Sequence, residues 1–189
     1  MRSYSAVLAA CMALPPSAAL ALKPPAIMAS AVVDGFTVNI RALPRKDTLP
    51  VPHRTTGTVM TLIGSDGNYG FDPFYEIPNL AGVSPYLSLQ PGATARFLLK
   101  KASYSVTFFW GTPDTDQYIR LFDGSNRLIG TLQGADFQTA FGFSEYNRPF
   151  PIGQEDTTQI VSVIPIKRVE LVEESANICC FEFSNVTAP

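Results

Sequence analysis

An all-β fold, an antiparallel two-sheet sandwich or jelly roll in a single domain, is what this sequence predicts, and three observations carry it. Short runs, Phe36 to Ala42 being the clearest, alternate apolar with polar residues as strands with one buried face do. Turn signals built on Gly, Pro, Asn and Asp recur roughly every 8–15 residues. No convincing amphipathic helix appears among them. Sixteen prolines and thirteen glycines in 189 residues suit short strands joined by turns. The chain is 46% hydrophobic and 16% charged, a composition that buries a core and does not stay disordered. Formal net charge is −2 and no basic stripe occurs, so nucleic acid is not an expected partner.

The first 31 residues read as a targeting segment. Arg2 supplies the positive start, Ser5 to Leu22 is almost uncharged, and Ala19-Leu20-Ala21 fits a small-residue cleavage site. A signal peptide over 1–21 follows, with Ala29-Ser30-Ala31 as an alternative site, and the β-sandwich domain is expected over 32–189. Leu8-Ala9-Ala10-Cys11 has the look of a lipoprotein box, although the apolar stretch before the cysteine is short. No apolar run is of comfortable membrane-spanning length, so no membrane span is expected in the mature chain, which would be secreted, periplasmic or on the cell surface. Cys179 and Cys180 are adjacent and read as small apolar residues on opposite faces of one strand.

Phe36 to Ala42 is read as a half-buried edge or outer strand, followed by a proline-studded loop from Leu43 to Arg54. Thr58 to Ile63 is the next strand, ended by Gly64-Ser65-Asp66-Gly67. Asn68 to Pro85 mixes aromatics with X-Pro steps and reads as a long ordered loop. Tyr86 to Leu89 turns through Gln90-Pro91-Gly92 into a strand from Ala93 to Leu99. A separate strand then places Tyr104, Val106, Phe108 and Trp110 on one face, with Ser105 and Thr107 on the other. Gly111 to Asp114 breaks it. Tyr118 to Phe122 and Arg127 to Leu132 flank Asp123-Gly124-Ser125-Asn126, a hairpin signal with a loop of about four residues. Gly134-Ala135-Asp136 closes that strand, and Phe137 to Phe143 is an aromatic run without an assigned partner. Gln159 to Ile166, Arg168 to Val172 and Ile178 to Val186 supply the last three strands.

Several spaced motifs fall in an order that resembles the PEP-CTERM, or exosortase-dependent, bacterial surface proteins. They are Tyr86-Leu87-Ser88-Leu89, Phe109-Trp110-Gly111-Thr112-Pro113-Asp114, Leu121-Phe122-Asp123-Gly124, Gly130-Thr131-Leu132-Gln133-Gly134-Ala135-Asp136, and the closing Val169-Glu170-Leu171 and Phe181-Glu182-Phe183-Ser184-Asn185-Val186. The resemblance covers roughly residues 79–187. It implies an exported all-β domain of the cell surface or extracellular matrix with no established catalysis. Such chains normally continue into a Pro-Glu-Pro sorting motif, a membrane helix and a basic tail, whereas this sequence ends at Ala188-Pro189. Secretion without that anchor is therefore an expectation alongside surface display.

The chemistry offered by single residues is modest. Asp114, Asp116, Asp123 and Asp136 are the candidate ligands for a structural calcium ion, which takes six to eight oxygens from loop carboxylates and carbonyls. The plainer reading is that aspartates in turns bond their own backbone. Trp110, Tyr118 and Tyr146 are the candidate stacking platform for a sugar of an extracellular polysaccharide. Against that, Trp110 shares a face with Tyr104, Val106 and Phe108, which reads as core, the plainer of the two readings. His53 is the only histidine and cannot by itself build a nucleophile triad. Asp136 and Glu182 are the carboxylates to consider for glycoside hydrolysis, with Glu182 expected to face solvent or bond a neighbouring strand. The expectation is a non-catalytic surface or matrix protein, with a carbohydrate-binding module as the rival.

Overall fold

The computed structural model describes residues 27–42, 49–63, 85–110, 113–142, 156–174 and 181–189. The leader over 1–21, Cys11, Tyr146, Cys179 and Cys180 lie outside the described residues. Within them the chain is an antiparallel β-sandwich with one short helix. In order come β1 (Ile27–Val33), β2 (Phe36–Ala42), β3 (Arg54–Thr56), β4 (Val59–Ile63), β5 (Pro85–Leu89), β6 (Thr94–Trp110) and β7 (Gln117–Phe122). β8 (Leu128–Gln133), α1 (Gly134–Phe141), β9 (Asp156–Glu173) and β10 (Phe181–Thr187) complete it.

Two long strands, β6 and β9, pair along much of their length and belong to both layers. One layer runs β1-β2-β9-β6-β10-β5-β4, using the first part of β9 and the last part of β6. The other runs β8-β7-β9-β6-β3, using their opposite halves. The switch happens at paired irregularities. From Leu98 to Ser103 β6 takes five steps while β9 takes two, Arg168 to Ile166. From Ser103 to Ser105 the imbalance reverses, two steps against the five from Ile166 to Val161, so the register recovers. Pro165 falls within the β9 excursion, where its missing N–H breaks no ladder bond. Strands that pass between layers through bulges are how sandwiches turn corners.

The core is shared by both layers. Val38, Ile40, Phe108, Phe181 and Phe183 from one face Phe97, Ile119, Leu121, Val169 and Leu171 from the other. Phe97 meets Phe183 edge to face at 5.7 Å. At the far side Phe36 of β2 closes on β8, where a Cβ on Gly130 would lie 2.4 Å from the ring. Only glycine fits beneath that ring as it stands.

Several elements differ from the sequence reading. The strands expected at 93–99 and 104–110 are one, as are those at 159–166 and 168–172, because a bulge bends a strand without ending it. The bulge also changes which residues face inward. Ala95, Phe97 and Leu99 are buried before it and Val106, Phe108 and Trp110 after it, an odd-to-even change of phase. Tyr104 is thereby 59% exposed and not on the core face. β2 lies between β1 and β9 and is no edge. The sheet starts ahead of Val32, at Ile27, and turns into β2 through Asp34-Gly35, both at positive φ (50° and 81°) as a two-residue hairpin requires. Arg54, expected in a loop, opens the short strand β3.

The aromatic run after Gly134 is a helix. Phe137 and Phe141 stand one turn apart on its buried side, ring centroids 4.9 Å apart, and Gly142 ends it at φ 68°. Asp136 occupies the first turn, where a negative charge meets the positive end of the helix dipole. Gly134-Ala135-Asp136 thus opens a helix and does not merely close β8.

Candidate functional site

The motif around Trp110 is built into the interior. At the end of β6 the indole is 5% exposed, stacked on Phe181 at 5.2 Å and against Phe137 at 4.8 Å. Its N–H donates to Oε1 of Gln117 at 2.6 Å, and Nε2 of Gln117 donates to Oδ2 of Asp114 at 3.4 Å. Gln117 is fully buried, so this chain of bonds supplies partners that water cannot reach. The turn at 113–116 is fastened from outside as well. Gln138 donates to the Pro113 carbonyl, and Gln133 to the Thr115 carbonyl at 2.9 Å. Trp110 therefore anchors a turn from within the core and is not an exposed sugar platform.

Tyr118 alternates with the buried Gln117 and Ile119 on β7, so it is half-buried on the outer side, its phenol oxygen accepting from Gln133 Nε2 at 3.2 Å. Trp110 and Tyr118 thus present no common surface, and Tyr146 lies outside the described residues.

The four aspartates occupy three places. Asp114 and Asp116 are in the turn before β7, and Asp123 is in the β7–β8 hairpin. Asp136 is on the exposed side of α1. Asp123 accepts from the amides of Ser125 at 2.9 Å and Arg127 at 3.0 Å and pairs with the Arg127 guanidinium at 3.1 Å. The Arg127 amide, with these other donors, holds its carboxyl below the ordinary range. Asp123 is thus a turn-forming aspartate, in a loop one residue longer than expected. Among the described residues no three His, Cys, Asp or Glu side chains converge as a metal site would need. Glu182, expected to face solvent or bond a neighbouring strand, does not face solvent: it is 5% exposed, on the face of β10 opposite Phe181 and Phe183. Asp136 lies on the other side of that layer with α1, whose Phe137 packs on the core-facing Trp110, so the two do not face one another.

Asp34 and Asp136 are an acidic pair that the sequence did not reveal. Asp34 Oδ2 accepts from the Gln133 amide at 3.3 Å, and its carboxyl shares a side-chain hydrogen bond with Asp136. Partial desolvation, and then the neighbouring carboxylate, push the Asp34 carboxyl above its ordinary value, against the pull of the Gln133 N–H. The folded state thus retains the proton to higher pH than the unfolded chain. Its contribution is complete below the ordinary value of 3.8 and is lost as pH rises through the raised folded value. Asp34→Asn should remove that slope and, at neutral pH, stabilise by a few tenths of a kcal/mol, the figure being small because solvent screens an exposed pair. Denaturant titrations of both proteins from pH 3 to 7 check this; parallel pH profiles would count against it.

A groove of about 950 Å³ opens at the corner where β6 changes layers. Phe97, Leu98 and Val186 give it apolar walls, and His53, Lys100 and Lys101 give it a basic rim. Both lysines are exposed, and no carboxylate among the described residues pairs with either. Sequence reasoning missed this site because His53 and the lysine pair are far apart along the chain; the adjacent Lys100-Lys101 within a strand-like run was the only local sign.

No protein-family model and no curated protein matches the chain. Among solved structures it is similar to the CBM51-2 and INT domains of Clostridium perfringens ZmpB, at 11% identity and a TM-score of 0.32. It is also similar to CBM51-2 in complex with GlcNAc and INT domains of the same protein, at 10% and 0.33. In each case 85% of this chain and 40% of the other are covered, so the chain spans less than half the length of those it resembles. No helix among the described residues is long and apolar enough to cross a membrane.

Proposed function

We propose that this chain is a non-catalytic β-sandwich protein of the cell surface or extracellular matrix, acting by adhesion or structural packing after export. The observation that supports it is the use made of the motif. Trp110, Gln117 and Asp114, the residues best suited to chemistry, satisfy one another inside the fold. Carbohydrate recognition is the second reading, favoured by the groove, whose apolar wall and exposed lysine donors have the make-up of a shallow ligand site.

A glycan array probed with the intact protein, together with an assay for newly released reducing ends, tests both. The first reading expects neither retention on glycans nor release. Retention that Lys100→Gln with Lys101→Gln abolishes would favour carbohydrate recognition, and time-dependent release of reducing ends would overturn both.

A further inference from the structure

The described strands leave a gap along one flank of β6. β9 accompanies β6 on one side. On the other, β3 pairs with Thr94 to Arg96, and β10 pairs with the stretch from Thr107 to Trp110. Both run antiparallel to β6, so they point the same way and lie end to end. Between them, from Phe97 to Val106, no described strand takes up that flank. Leu99 to Ala102 is paired with no described strand on either side, its bulge held where Lys167 Nζ reaches the carbonyls of Leu99 at 2.6 Å and Lys100 at 2.9 Å. The groove runs beside this open stretch. Val51 to His53, entering β3, line it together with Val186 to Pro189, leaving β10.

An uncovered strand flank is a template for another strand. Here it coincides with a basic rim on a chain whose formal net charge is −2. We propose that the groove takes an extended acidic peptide segment, which adds to β6 in line with β3 and β10. Its carboxylates meet Lys100 and Lys101, and its alternate apolar side chains lie on the exposed Leu98 and on Val186. A polysaccharide could use the lysines, but only a peptide backbone has the donors and acceptors that continue a β-ladder. The proposal goes beyond the adhesive reading by naming the partner's chemistry.

The test is fluorescence anisotropy on the full chain with a capped octapeptide alternating Glu and Val. Its companions are the same peptide N-methylated at alternate amides, and polygalacturonate. The plain peptide should bind, weaken with salt, and lose about tenfold in affinity with Lys100→Glu and Lys101→Glu together, as paired charges at an interface do. N-methylation should weaken it at least as much. If charge reversal prevents folding, the Lys→Gln pair serves in its place. Equal binding of the methylated peptide would refute strand addition, as would binding of polygalacturonate alone or of neither probe.

Discussion

Trp110→Ala is expected to cost about 3–5 kcal/mol, the range for removing a large buried aromatic side chain from a core. The expected loss has two parts. Phe137 and Phe181 lose the ring that lies between them, at 4.8 and 5.2 Å. Gln117, fully buried, loses the indole donor to its Oε1. Trp110→Phe separates these by keeping most of the ring contact while removing the indole donor to the Gln117 oxygen, for an expected cost of about 1–3 kcal/mol. Combining Trp110→Phe with Gln117→Leu in a double-mutant cycle should recover part of that loss, since the buried amide goes together with its indole donor. Urea denaturation of the four proteins measures it. A near-neutral Trp110→Ala would count against a core role for the indole.

Gly134→Ala is the second large effect. A Cβ there would lie 1.8 Å from the carbonyl oxygen of Asp114 and 2.8 Å from its carbon. Both obstacles are backbone, in a turn tied down by Gln117, Gln133 and Gln138, so neither can rotate aside. A cost of about 3 kcal/mol is expected, or roughly 6–12 °C in Tm for a chain of this size. Gly124→Ala is the control, because a Cβ at that hairpin position meets nothing within 4 Å. It should change stability by less than about 0.5 kcal/mol, as open surface positions do. Gly130→Ala falls between them, since the ring of Phe36 at 2.4 Å is a side chain and can shift. Thermal melts of the three variants should rank them in that order.

Both predictions concern residues that the sequence singled out for a different reason. Trp110 and Asp114 stood out as candidate chemistry, and the structure places them as scaffolding: Trp110 ends β6, Asp114 lies in the turn before β7, and α1 sits against both. The Phe137–Phe141 spacing and Gly142 were signs of a helix, but at eight residues α1 is too short for periodicity to stand out. Its burial depends on Trp110, which arrives from another strand. Asp34-Gly35 was a hairpin signal of the same kind as Asp123-Gly124, overshadowed by the apolar, leader-like composition just before it.

The sequence by itself determined the class of fold. Alternation, turn chemistry and the scarcity of helical spacing are local properties, and each acts over a few residues whatever the rest of the chain does. The tertiary structure alone decided that the strands expected at 93–99 and 104–110 are one, that Tyr104 faces outward, and that His53 meets Lys100 and Lys101 at a groove. A bulge reverses the facing of every residue beyond it, and whether it ends a strand or bends one depends on the partner strand. At this corner the partner, β9, lies more than fifty residues further along the chain, beyond the reach of any local pattern.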